Sequence, residues 1–181
     1  MLMDTPDETL VSAAVSGDRE AFAALLDRHY HRIFGLAFRL TGARAEAEDL
    51  TQDICVTLPA RLGHFAGRSR FTTWLYRVTI NAARDRHRRA ATRARAADGW
   101  GDWERDRQET NAAEAETQAW LARVMADLPP ELRETVALVL GEELTQAQAA
   151  AALGLSEGTV AWRMSEVKKR LRAMARAEDM L

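Results

Sequence analysis

Nine arginines stand against a single acid, Asp85, between Arg68 and Arg95. A guanidinium is a rigid fork of donors that matches phosphate oxygens two at a time, so arginines aligned on one helix face suit a polyanion. In "RFTTWLYRVTINAARDRHRR", Arg70 to Arg89, helical spacing gathers Arg77, Asn81, Arg84 and Arg88 in one narrow stripe. Phe71, Trp74, Leu75, Val78 and Ala82 fall in the neighbouring stripe and form a core face. One helix can therefore be anchored on one side and hold a nucleic-acid backbone on the other. Each duplex phosphate so neutralised would steepen the log-log salt dependence of binding by about 0.9. Asn81 either reads a base edge or leaves a neutral gap in the row, and Asp85 is read as an orienting partner for an arginine.

A second constellation is "LTQAQAAAALGLSEGTVAWRMSEVKKRLR". Thr145 and Gln148 have the spacing of a capping box that starts a short alanine-rich helix. Gly154 fits a sharp turn, Ser156 can cap the following helix, and Val160, Met164, Val167, Leu171 and Met174 give that helix a buried stripe. This is helix-turn-helix spacing, in which the second helix enters the DNA major groove. Its outer face would present Gly158, Thr159, Trp162, Arg163, Glu166 and Lys169. Arg163 can donate to base edges or phosphates, and Thr159 with the helix N-terminus to a phosphate. The bland alternative is a helical hairpin ending in a solvated, charged helix.

Other chemistries are poorly supplied. The single Cys55 closes no disulfide within the chain and excludes a paired-cysteine zinc site. Its run, "DICVTL", predicts a buried, inert thiol. A hydrolase built from His64, Asp85 and His87 lacks metal-ligand spacing, because positions two apart on a helix do not share a face. No enzyme, metal or cofactor is expected. No apolar run could span a bilayer and the start, "MLMDTPDETL", is acidic where a signal peptide would be basic, so the chain reads as cytoplasmic.

The elements that must position these groups are helices throughout, and no run alternates as a strand would. Asp18 is the expected N-cap of a helix whose apolar positions are Phe22, Leu25, Leu26, His29, Ile33, Leu36, Ala37 and Leu40, with Gly42 as its stop. A second helix is expected over 44–58, ended or kinked by Pro59, with Leu50, Ile54 and Leu58 on one face and Glu48, Asp49, Gln52 and Asp53 on another. From about Ala90 to Asn111 apolar periodicity lapses, and between Asp98 and Glu116 seven acids face two arginines, so the net charge of -2 hides a strong segregation. The expected plan is a first domain over 1–90, an acidic linker over 91–111 holding Trp100 and Trp103, and a second domain over 112–181. In the second, Trp120, Leu121, Val124, Met125 and Leu128 are in phase, and Pro130 opens a helix with apolar Leu132, Val136, Val139 and Leu140.

Taken together, "AEDLTQDI", "FAGRSRFTTWLYRVTINAARDRHRR", "LPPELRETVALVL" and the helix-turn-helix resemble a bacterial RNA polymerase sigma factor of the extracytoplasmic function (ECF) type. Four motifs in the family's order make the likeness specific, and it covers nearly all of the chain outside the linker and extreme termini. The resemblance implies an all-α protein of sigma regions 2 and 4 that directs promoter recognition and transcription initiation. It implies core RNA polymerase as a partner, through the beta-prime clamp helices and the beta subunit, with Asp49, Gln52 and Asp53 at the clamp contact. It implies that Gly67, Arg68, Ser69, Arg70 and Asn81 meet a flipped base of the minus-10 element while Arg77, Arg84, Arg88 and Arg89 hold the backbone. Opening duplex forfeits roughly 1.4 kcal/mol of stacking per step, part of which a pocket for an extruded base recovers.

By the same resemblance Ser156, Gly158, Thr159, Trp162, Arg163, Glu166 and Lys169 face the minus-35 element, an anti-sigma factor is a further partner, and the acidic linker threads the polymerase cleft or acts as a plain tether. Ala161, Trp162 and Glu166 depart from common family residues, so no relative's minus-35 sequence is carried over; Glu166 either accepts from a cytosine or sits against basic residues of its own region. The alternative function is a sigma mimic that sequesters an anti-sigma factor, against which the arginine stripe and the basic recognition helix argue. In the free protein the two regions can also fold together and hide Asn81 or Arg163.

Overall fold

The computed structural model describes residues 5–96 and 124–178, and every regular element among them is a helix. The N-terminal half comprises α1 (Asp7–Val15), α2 (Arg19–Thr41), α3 (Arg44–Leu62) and α4 (Phe71–Ala96). The C-terminal half comprises a helical turn over 124–127, α5 (Pro130–Val136) continued by a π-helix (Ala137–Gly141), α6 (Gln146–Leu153) and α7 (Glu157–Glu178).

Local chemistry accounts for most boundaries. The Asp18 carboxylate accepts from the backbone N–H groups of Glu20 and Ala21 at 2.9 and 3.1 Å, and Gly42 closes α2 in the left-handed conformation, φ 75°. Around Thr145 the capping box is complete: the Gln148 N–H donates to the threonine hydroxyl and the Thr145 N–H to the Gln148 side chain. Because α6 spans only eight residues, its first turn is a large share of it. Thr145→Ala is expected to lower stability by about 1 kcal/mol, read as a shift of the urea midpoint at unchanged slope.

The first core gathers Leu25, Ile33, Ala47, Leu50, Ile54, Leu58, Leu62, Phe71 and Leu75 from α2, α3 and α4, with Leu10 and Val11 of α1 laid over it. His29 lies inside this core, 4 % exposed, with Nε2 2.9 Å from an Asp7 carboxylate oxygen and its ring edge-on to Phe71 at 5.3 Å. Its Nδ1 is buried without a hydrogen-bond partner among the described residues. Burial lowers the His29 pKa below its ordinary 6.5, with Asp7 opposing in part and Arg32 and Arg28 adding to the fall. The unfolded chain therefore binds the proton first. His29 contributes stability above about pH 6.5 and loses it as pH falls through that value. His29→Gln, which keeps a donor toward Asp7, is expected to flatten that part of the stability-pH curve.

Four expectations need correction. Pro59 lies inside α3 and does not end it, because the stripe Leu50, Ile54, Leu58 continues to Leu62, 1 % exposed, whose burial offsets the lost backbone bond. Helix α4 does not stop at Ala90; it runs to Ala96, across the boundary expected between first domain and linker. Leu140 is 60 % exposed: the π-turn slips the helical phase, so Leu138 is buried in its place. Cys55 is half-buried, and partial burial pushes its thiol pKa up. Trp100, Trp103, Trp120 and Leu121, with the linker from residue 97 onward, lie outside the described residues.

A second core belongs to both halves. Leu36 and Leu40 of α2 and Tyr76 and Ile80 of α4 pack into one cluster with Met125, Leu128, Leu132, Val136, Leu138, Leu153, Val160, Met164 and Val167. Helix α4 thus buries two faces, where its pattern had suggested one.

Candidate nucleic-acid and protein interfaces

Three charged surfaces carry the residues singled out in the sequence. On α3, Asp49, Gln52 and Asp53 are exposed, with the aspartate side chains 67 % and 74 % accessible. Arg86 of α4 reaches across to them, 2.8 Å from Glu46, 3.2 Å from Asp49 and 3.8 Å from Asp53. The Glu46 hydrogen bond holds the Arg86 pKa above its ordinary value. One guanidinium thus braces three carboxylates, and the face stays net acidic.

The second surface is the loop before α4 and the arginine row along it. Gly67 takes φ 66°, which an L side chain rarely adopts, and Gly67, Arg68, Ser69 and Arg70 are all exposed. Below the loop Phe71 is 1 % exposed and stacks on Trp74 at 5.6 Å, while Phe65 stands edge-on to both. An aromatic plug therefore fixes where the loop ends and the helix begins.

Along the row, Asn81 is exposed and lines a groove of about 700 Å³ with Arg61, Arg84, Asp85, His87, Arg88 and Glu134 among its walls. Asp85 accepts from Arg88, the orienting role read from the sequence. Arg84 is turned toward the C-terminal half, where its Nε and Nη2 donate to the two oxygens of Glu134 at 2.7 and 2.6 Å. Arg77 donates to the carbonyl oxygens of Ala151 and Ala152. Arg89 is exposed and engaged in an interaction of its own.

On the third surface, α7 follows a Ser156 cap: the Thr159 N–H donates to the serine hydroxyl at 3.1 Å, and the two hydroxyls lie 2.8 Å apart. Gly158 and Lys169 are exposed and Trp162 is 61 % exposed. Glu166 receives a hydrogen bond from Lys169 at 2.6 Å, so of its two readings the basic neighbour within the helix is the one occupied here. Arg163 leans back to donate to the Glu131 carbonyl oxygen at 3.1 Å. Its tie is internal to the C-terminal half. Asn81 stays open. The fold-together state anticipated from the sequence is present, yet it engages Arg77 and Arg84 and hides neither Asn81 nor Arg163.

Sequence reasoning missed the groups that join the halves. The Glu142 carboxylate accepts from Arg39 Nη1 and from the Tyr76 hydroxyl, each at 2.7 Å. Burial, then the Glu142 contact, pushes the Tyr76 pKa up to about 12, so the hydroxyl remains a donor. Arg133 donates to the carbonyl oxygens of Met125, Ala126, Leu128 and, across the junction, Leu40. No local signal marks the contacts that cross between the halves, because Arg39 and Glu142, Tyr76 and Glu142, and Arg133 and Leu40 are 103, 66 and 93 positions apart.

Among the described residues no group of three or more His, Cys, Asp or Glu side chains could hold a metal ion, and no helix is long and apolar enough to cross a membrane.

Comparison with known proteins adds an independent line. The family model for Sigma-70 region 2 matches residues 25–93, and that for Sigma-70 region 4 matches residues 118–171. The chain is 34% identical over 168 residues to the ECF RNA polymerase sigma factor SigM of Mycobacterium tuberculosis, covering 91% of this chain and 82% of that one. It is 30% identical over 180 residues to the RNA polymerase sigma-H factor of Pseudomonas aeruginosa, covering 93% of each. Among solved structures it resembles CnrH in complex with the cytosolic domain of CnrY, with a TM-score of 0.69 and 29% identity, over 94% of this chain and 97% of that one.

Proposed function

Because this chain belongs to the sigma-70 family of RNA polymerase sigma factors, in its ECF group, we propose a division of labour among its three charged surfaces. The protein is a transcription initiation factor that binds core RNA polymerase and directs promoter recognition. The acidic face of α3, with Asp49, Gln52 and Asp53, docks on the beta-prime clamp helices. The loop Gly67–Arg70 and Asn81 receive the flipped minus-10 base, and Arg77, Arg84, Arg88 and Arg89 hold the strand backbone. Helix α7 presents Ser156, Gly158, Thr159, Trp162, Arg163, Glu166 and Lys169 to the minus-35 duplex. Region 2 spans 1–90, the linker 91–111 and region 4 112–181, with α4 projecting a little way into the linker.

The observation that carries this reading is the pairing on one α3–α4 unit of an exposed acidic face with an exposed loop and arginine row. A clamp contact and a strand contact can then be made at once by one rigid piece. The chain adds no bond-making chemistry of its own; it positions the polymerase, which does. It acts in the cytoplasm, where core polymerase and promoter DNA are. CnrH is bound in its solved structure by the cytosolic domain of another protein, CnrY. That likeness supports an anti-sigma partner here, whose binding would withhold the factor from polymerase.

Transcription in vitro with bacterial core polymerase on a genomic promoter library tests the reading. Initiation at discrete sites sharing minus-35 and minus-10 elements is the expected result. Core binding without initiation would favour the sequestering mimic, and absence of core binding would refute the polymerase contact altogether.

A further inference from the structure

The outermost group on α7 is apolar. Val160, Met164 and Val167 are buried, and Trp162 lies about half a turn round from that stripe, so its indole points away from the core and is 61 % exposed. A helical side chain leans toward the N-terminus, over the position one turn earlier. That position is Gly158, where an added Cβ would meet only the Ser156 Oγ, at 4.0 Å. The glycine leaves room beside the ring, where the edge of a base can enter.

The polar neighbours of Trp162 are engaged within the protein. Arg163 donates to the Glu131 carbonyl oxygen at 3.1 Å, Glu166 accepts from Lys169 at 2.6 Å, and the Ser156 and Thr159 hydroxyls lie 2.8 Å apart. Lys168 and Arg170 are exposed on the two flanks of the face. Cations so placed suit phosphates, which position a helix but carry no sequence. Among base edges in the major groove, thymine alone offers an apolar group, its 5-methyl. An outward indole set among paired charges matches that group better than any donor or acceptor of the other bases.

We propose that Trp162 is a specificity-determining residue that reads the minus-35 duplex by closing on the 5-methyl group of a thymine at one fixed position. This rests on the sigma reading for the presence of duplex along α7; the thymine requirement comes from the helix face.

The test uses holoenzyme reconstituted from the full chain and core polymerase, on promoters mapped by the library experiment. Their aligned minus-35 elements are expected to share a T·A pair, and elements that share none would overturn the proposal. Replacing that thymidine by deoxyuridine removes the methyl group and nothing else. With the unaltered factor, the holoenzyme concentration giving half-maximal initiation is expected to rise about fourfold, the worth of one buried methyl, at an unchanged plateau rate. Trp162→Ala should initiate equally well from both templates. Trp162→Phe, which keeps an aromatic face without the N–H, should keep the preference. Both variants are expected to hold the urea midpoint of the unaltered protein, since the side chain is largely solvated. Indifference of the unaltered factor to uracil at every thymine of the element would overturn the proposal. So would an alanine variant that still prefers thymine, or a phenylalanine variant that loses the preference, which would make the indole N–H the reading group. The sigma reading is judged apart: absence of initiation from any site would remove it, and the thymine contact with it, whereas discrete initiation indifferent to uracil would remove the contact alone.

Discussion

Alanine in place of Phe71 is expected to cost about 3–5 kcal/mol of stability, a large part of the 5–15 kcal/mol that holds an ordinary domain folded. The ring is 1 % exposed and touches three others: His29 at 5.3 Å, Phe65 and Trp74 each at 5.6 Å. Removing it opens a cavity that α2, α3 and α4 cannot close without moving, since each is pinned by its own buried leucines. Chemical denaturation measures the loss. A drop of less than about 1 kcal/mol would mean that the cluster collapses onto the gap and that the plug is not rigid. Because Phe71 directly follows Arg70, the loop Gly67–Arg70 loses its anchor too. On the role proposed for that loop, promoter opening is expected to fail at temperatures where the variant is still folded, which abortive-transcript assays below the unfolding midpoint would reveal.

Charge reversal on α3 is the second large effect. If this face makes the proposed clamp contact, Asp49→Arg with Asp53→Arg is expected to weaken binding to core polymerase about 100-fold or more, because it reverses the charge to which a complementary partner surface is matched. Folding should hardly change, since both side chains are solvated and surface substitutions stay within about 0.5 kcal/mol. Arg86 keeps Glu46 as a partner at 2.8 Å, so α4 retains its brace. Affinity for core measured by fluorescence anisotropy, beside the urea midpoint, separates the two quantities. Unchanged core affinity would show that the clamp docks elsewhere, and the role proposed for this face would be withdrawn.

What could be read without coordinates is what short-range chemistry governs. The Asp18 cap, the Gly42 stop, the Thr145–Gln148 box and the turn at Gly154 are each settled by atoms within four residues of one another. Helix periodicity is equally local, and it found the core stripe of α4, the exposed acids of α3 and the outer face of α7. Residue type and exposure along those stripes were enough to nominate the charged surfaces.

The rest depended on partners that no local pattern can name. Arg84, Tyr76 and Arg39 meet carboxylates 50, 66 and 103 positions away, and an arginine destined for Glu134 looks in the sequence like one left to solvent. Tyr76 and Ile80 belong to a second buried face of α4 that exists only because α5 and α6 pack on it. The continuation of α3 past Pro59 and the exposure of Leu140 escaped the sequence for a related reason: burial of Leu62 outweighs a local helix-breaking signal, and a π-turn at the end of its helix shifts the phase at Leu140. The sequence by itself determined the helices, their capped ends and the kinds of charge they present. The tertiary structure alone decided which of those charges remain available, because pairing at a distance follows from how the halves pack and not from spacing along the chain.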